Sequence, residues 1–198
     1  MSKNKIFVLM GKSATGKDTL YKKLLEEGQL PIKPVVIYTT RPIRQGEIEG
    51  EAYHFVDVET YERLKAEQKV IEYRDYHTVH GIWSYFTVAD AQFTDSQAVL
   101  LINTLEGYTQ ILSYFGKERV VPLYVEVEDG ERLTRALCRE KSQSEPKYEE
   151  LCRRFLADAK DFSEEKLAAA GIQKRFENSN METCLKELEN AIREVLKF

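Results

Sequence analysis

Short, nearly continuous apolar runs alternate along this chain with segments whose apolar residues recur every three or four positions. The runs at 6–10, 35–39, 99–103, 120–127 and 175–177 read as strands. Val99-Leu100-Leu101-Ile102 has the unbroken apolar character of a strand covered on both faces. Helical spacing marks 17–27, 106–114, 130–140, 148–169 and 181–196, with Pro146 suited to the start of the fourth of these. This order predicts a doubly wound α/β core around a parallel sheet.

Two stretches depart from the alternation. Residues 41–93 carry short aromatic runs (54–56, 70–73 and 81–86), a helical stretch at 58–68 and a turn at His80-Gly81. They predict a small antiparallel insertion. Residues 128–170 hold two amphipathic helices joined by the polar Lys141-Ser142-Gln143-Ser144-Glu145-Pro146. The expected organisation is a single domain over 1–198. Its core is 1–40, 94–127 and 171–198, with an insertion at 41–93 and a helical lid at 128–170.

The first predicted strand runs directly into Gly11-Lys12-Ser13-Ala14-Thr15-Gly16-Lys17-Asp18-Thr19, and the first predicted helix follows. Strand, glycine-bounded loop, lysine and helix form the context in which G-x-x-x-x-G-K cradles phosphate. The glycines let backbone N–H groups turn inward, the helix N-terminus adds its positive end, and Lys17 adds a full charge. The residue after the lysine is usually Ser or Thr; here it is Asp18, with Thr19 one place later. A carboxylate can hold Mg²⁺ or its water shell, so Asp18 and Thr19 are the candidate metal contacts, largely through water.

Charge and cysteine content change the picture little. Net charge is −4, from 29 Lys and Arg against 33 Asp and Glu, which gives no general pull toward nucleic acid or anionic lipid. A phosphate-binding chain with this balance must gather its arginines locally. The odd set Cys138, Cys152 and Cys184 matches no zinc spacing and reads as free thiols in a reducing cytoplasm. No apolar run reaches membrane-spanning length.

The second chemical signal is Thr39-Thr40-Arg41-Pro42-Ile43-Arg44-Gln45-Gly46-Glu47-Ile48-Glu49-Gly50-Glu51-Ala52-Tyr53. Two arginines three apart on a loop leaving a strand can converge on one phosphate, and guanidinium forks suit its oxygens. This stretch resembles the T-T-R-x-x-R-x-G-E-x-x-G-x-x-Y signature of guanylate kinases at unbroken spacing. With the phosphate loop, the resemblance runs from Phe7 to the final helix.

The resemblance implies a P-loop NTPase three-layer fold and transfer of phosphate from ATP to GMP, with dGMP as a further acceptor, aided by Mg²⁺. It implies that the loop residues 11–19 and Asn178 serve ATP. It implies that Thr39, Arg41, Arg44, Tyr53, Glu72, Tyr85 and Thr87 serve GMP, with Glu72 reading the guanine ring by accepting from its N1–H and amine. Lys17, Arg41 and the lid arginines Arg135, Arg139 and Arg154 are then the catalytic set. Arg132 and Arg153 read instead as a solvated helix face.

The chain departs from the pattern at several places. Ile37 stands where the family has a guanine-contacting Ser. Ile102 and Thr104 replace two aspartates, and Phe86 replaces a Gly. These changes leave the phosphate grips intact and weaken the base-reading argument. They keep open a P-loop kinase of another nucleoside monophosphate or small phosphorylated acceptor. A catalytically silent guanylate-kinase-like binding module is the third reading, opposed by the retained Lys17.

Overall fold

The computed structural model describes residues 4–26, 29–44, 46–78, 81–94 and 98–197. Strand β1 (Lys5–Met10) lies at the middle of a five-stranded sheet. Its neighbours are β7 (Ala98–Ile102) on one side and β8 (Val120–Glu126) on the other. The edges are β2 (Lys33–Pro34) and β9 (Arg175–Glu177), giving the order β2-β7-β1-β8-β9. Every pairing is parallel. All strands therefore end on one side, where an open α/β sheet forms its crevice.

The period-2 alternation of buried strands sorts side chains into two apolar layers. Ile6, Val8 and Met10 face α3 (Leu105–Phe115) through Leu105, Tyr108 and Ile111. Phe7 and Leu9 face α1 (Lys17–Glu26) through Leu20 and Leu24, and α7 (Met181–Leu196) through Cys184, Leu188 and Ile192. Burying each such aliphatic side chain contributes about 1.5–3 kcal/mol, so this three-layer core is the rigid part of the molecule. The Cys184 thiol sits in it, pushed up to about 12 by burial. Cys138 and Cys152 are exposed and free.

A second sheet has the order β4-β3-β6-β5, built from β3 (Tyr38–Thr39), β4 (His54–Phe55), β5 (Val70–Thr78) and β6 (Gly81–Val88). It is mixed: β3–β6 and β5–β6 are antiparallel, whereas β3–β4 is parallel. One face rests on a small cluster with Tyr61 of α2 (Val58–Ala66), Phe86 and Val88. Phe86, the departure from the family glycine, is fully buried in that cluster and packs on Tyr61 at 4.6 Å. Of the expected turn at His80-Gly81, His80 lies outside the described residues.

Two expected elements divide. The run at 35–39 is not one strand. Gln92 Oε1 accepts from Val36 N at 2.7 Å and its amide donates to Val36 O at 3.1 Å, so a side chain satisfies backbone groups that a strand partner would take. The chain then crosses from the large sheet to the small one. The helix expected at 148–169 is α5 (Tyr148–Asp161) and α6 (Glu164–Ala169). Phe162 turns into the core against Tyr124, and Ser163 caps α6 by accepting from Lys166 N. The expected last residue of α1, at 27, lies outside the described residues. The other helix of the 128–170 segment is α4 (Asp129–Lys141).

Candidate active site

The loop from Gly11 to Lys17 sits where β1 ends and α1 begins. Ala14 (φ +64°) and Gly16 (φ +82°) both take left-handed backbone, the conformation that turns successive N–H groups to one side. Gly11 tolerates no side chain, because a Cβ there would stand 2.6 Å from Val125 O. Gly16 O accepts from Thr19 N and Leu20 N, starting α1. Lys17 is largely covered, with Nζ 3.8 Å from Asp18 Oδ2, while Asp18 and Thr19 are exposed on the first helical turn.

The loop is anchored from far along the chain. Asn178 is buried; its Nδ2 donates to Thr15 O at 2.7 Å and its backbone N to Glu126 O at 2.8 Å. Ser13 N donates to Asp158 Oδ2 at 2.7 Å. Arg132 holds this junction together. Its Nη1 donates to Ser13 O (3.1 Å) and Asp158 Oδ2 (3.2 Å), its Nη2 to Asp129 Oδ1 (3.0 Å), and its guanidinium lies 4.3 Å from the Phe155 ring centre. Burial pushes the Asp129 carboxyl up, but Arg132 and Lys12 overcome this and hold it below its ordinary value.

Arg132 therefore corrects the expectation of a solvated helix face: it is 1% exposed and joins α4 and α5 to the phosphate loop. Arg153 does lie on an exposed face, paired with Glu150. Of the expected lid arginines, Arg135 donates to Asn178 O (3.0 Å) and Glu131 (2.9 Å). Arg139 is exposed, and Arg154 lies beside Glu150 and Glu140. Arg139 and Arg154 border one recess with Ser13 and Arg132, so α4 and α5 bring them to the loop.

The other face of the small sheet gathers the second set of candidates. The register pairs Glu72 with Thr87, Arg74 with Tyr85 and Tyr76 with Trp83, while Thr39 pairs with Tyr85 on the other side. Paired residues share a face. Glu72 is buried and accepts from Thr87 Oγ1 at 2.7 Å. Arg41 is buried and heavily engaged. It donates bidentately to Glu47 (2.8 and 3.0 Å), to Pro42 O (2.8 Å) and to the Tyr85 hydroxyl (3.1 Å), beside the Tyr53 ring. Glu47 raises the Arg41 pKa, and Arg41 in turn holds the Glu47 carboxyl below its usual value. Arg44 is exposed and lies over the Trp83 ring. Burial raises the Tyr53 phenol, which sits edge-on to Tyr85.

Two cavities meet at this face. One, of about 460 Å³, is lined by Ile37, Tyr53, Arg74, Tyr76, Trp83 and Tyr85. The other, of about 560 Å³, has Arg74 on one wall, Thr104 and Glu106 at the start of α3, and Asp158 beyond. Asp158 is the residue bonded to Ser13 of the loop. The second cavity thus lies between the small-sheet face and a direct neighbour of the phosphate loop. At the replaced aspartates, Thr104 caps α3 by accepting from Gly107 N (3.1 Å). Asn103 is buried, with its carbonyl accepting from Thr104 N and its Nδ2 unpaired. Among the described residues no group of three His, Cys, Asp or Glu side chains could hold a metal, and no helix is long and apolar enough to cross a membrane.

The family model described as guanylate kinase matches residues 3–195. The chain belongs to the guanylate kinase family. A guanylate kinase of Thermus thermophilus is 30% identical over 180 residues, covering 91% of this chain and 69% of that protein. One from Neisseria gonorrhoeae is 42% identical over 73 residues. That stretch is 37% of this chain and 35% of the relative, so the match spans about a third of the relative's length. The crystal structure of guanylate kinase from Anaplasma phagocytophilum superposes with a TM-score of 0.61 at 24% identity, covering 98% of this chain and 86% of that one. It supports the fold.

Sequence reasoning passed over Asp158, Asp129, Glu47 and Arg74 and set Arg132 aside. Glu47 had a local signal, since it lies within the arginine loop it organises. Asp158 had none, because it meets Ser13 across 145 positions of sequence.

Proposed function

We propose that this chain phosphorylates GMP with ATP, by in-line transfer of the γ-phosphoryl group. The observation that carries the reading is the cavity with the small-sheet face on one side and Asp158, the neighbour of the phosphate loop, on the other. The loop N–H groups, the α1 N-terminus and Lys17 would receive the phosphates of ATP. Arg44, Tyr53 and Tyr85, with Arg41 steadied by Glu47, would receive the phosphate of GMP. Glu72, fixed by Thr87, would read the base.

The attacking oxygen belongs to a phosphate that is already ionised, so the protein needs no catalytic base. Its task is to align two polyanions and offset their charge. Lys17, with Arg135, Arg139 and Arg154 from the lid helices, would stabilise the transferring group. The residues fit a divalent ion that arrives on the nucleotide rather than a protein-built metal site. Asp18 can offer one oxygen to Mg²⁺ or its water, and the ion would neutralise charge on the phosphates. Movement of 41–93 and 128–170 toward each other would exclude water and suppress ATP hydrolysis.

Coupled ADP-release assays across GMP, dGMP, AMP, CMP and UMP test this. Turnover confined to the guanine nucleotides supports it. Preference for another base would establish the alternative P-loop kinase, and ATP binding without turnover on any acceptor would establish a silent binding module.

A further inference from the structure

Two charged atoms on the small-sheet face have no hydrogen-bond partner although they are buried: Glu72 Oε2 and Arg74 Nε. They lie 3.7 Å apart, close enough for charge attraction and too far for a hydrogen bond. A buried carboxylate oxygen and a buried guanidinium N–H left this way carry a desolvation cost that a ligand contacting both would offset. Glu72 cannot turn away, since its other oxygen accepts from Thr87. Arg74 can adjust: its side chain is 30% exposed and borders both cavities, one of them beside Ile37.

We infer that Arg74 is a specificity-determining residue that donates to the 6-oxo group of the acceptor's purine while Glu72 accepts from its N1–H. The inference rests on the kinase reading above and extends it to a residue outside the arginine signature. Of the two side chains held against the Glu72 carboxylate, Thr87 and Arg74, Arg74 is the one with an N–H to spare. The Thr87 hydroxyl proton goes to Glu72, the Thr39 hydroxyl proton goes to Ser84 O, and Ile37 has no polar atom. A donor beside an acceptor, in fixed order, matches an edge that offers C=O next to N–H. Adenine presents an amine next to a bare ring nitrogen, the reverse order, and would leave both protein groups unsatisfied.

The test is a cycle between one side chain and one ligand atom. Steady-state kcat/KM is measured for GMP and for 6-thio-GMP, which keeps N1–H and the 2-amine but weakens the acceptor at position 6. Wild type is compared with Arg74→Ala and Arg74→Lys, with thermal midpoints taken for each. Wild type is expected to prefer GMP by about tenfold or more, and the preference should fall to about twofold or less in Arg74→Ala. Arg74→Lys keeps a cation near Glu72 and serves if Arg74→Ala does not fold; its preference should fall by at least threefold. Variants that turn over GMP with the wild-type preference would overturn the assignment of Arg74 while leaving the kinase reading intact. A wild-type protein that does not phosphorylate GMP would overturn both.

Discussion

In the phosphate loop the groups proposed to meet an anion are backbone N–H donors, shaped by two left-handed residues at the end of a strand that runs between two large apolar layers. On the small sheet they are side chains at alternating strand positions, resting on a cluster whose buried members are Tyr61, Phe86 and Val88. Both regions are suited to phosphate. Apart from Lys17, the loop's chemistry depends little on side-chain identity, whereas the small-sheet face depends on each residue and on the ion pairs that aim it. The loop is the rigid anchor, and the small sheet is the part expected to open and close at low free-energy cost.

Substitutions can sharpen that contrast. Lys17→Ala removes the charge that the loop is proposed to set against the transferring phosphate. Turnover should fall by about a thousandfold with an unchanged thermal midpoint; a loss below tenfold would refute its role. Arg132→Ala attacks the loop through its remote anchors and leaves Asp158 and Asp129 without their shared cation. Unfolding in urea should reveal a loss of about 3 kcal/mol, and a change under 1 kcal/mol would mean the junction is dispensable. Arg44→Ala touches only the exposed cation of the platform. KM for the acceptor should rise about tenfold with kcat and KM for ATP little altered; an unmoved acceptor KM rules that cation out.

The smallest effect concerns Glu47. Hydrogen bonds from Arg41 and from Arg44 N hold its carboxyl below the ordinary 4.5. A lowered carboxylate contributes stability that is complete above about pH 4.5 and is lost as pH falls through its folded value. Thermal midpoints of wild type and Glu47→Gln should therefore differ near pH 7 and converge as pH falls below 4.5 through the folded value. A gap that does not narrow at all as the pH falls below 4.5 would point to packing rather than charge.

The two regions were unequally legible in the sequence. The phosphate loop is contiguous, so its glycines, lysine and flanking elements could be read together. Of its anchors, Asn178 was named only through the family resemblance, and Asp158 and Arg132 were not, because they reach the loop only through tertiary folding. The small-sheet face shows the reverse. Thr39, Arg41, Glu72, Tyr85 and Thr87 were visible as motif residues, but the common face of Thr39, Glu72, Tyr85 and Thr87 follows from a register that includes a bulge between Val70 and Glu72. Arg74 stands beside Glu72 because both lie on β5 two positions apart; it was passed over because the run read as a strand stopped at Tyr73. Arg132 was misread because helical periodicity shows which residues share a face and not what covers that face.

The central claim is that the two anion sites open on one space. Isothermal titration with a single molecule joining adenosine and guanosine through five phosphates tests it directly. The account predicts binding at least a hundredfold tighter than ATP or GMP alone, because one ligand would occupy both sites. Affinity no greater than that of ATP would contradict it.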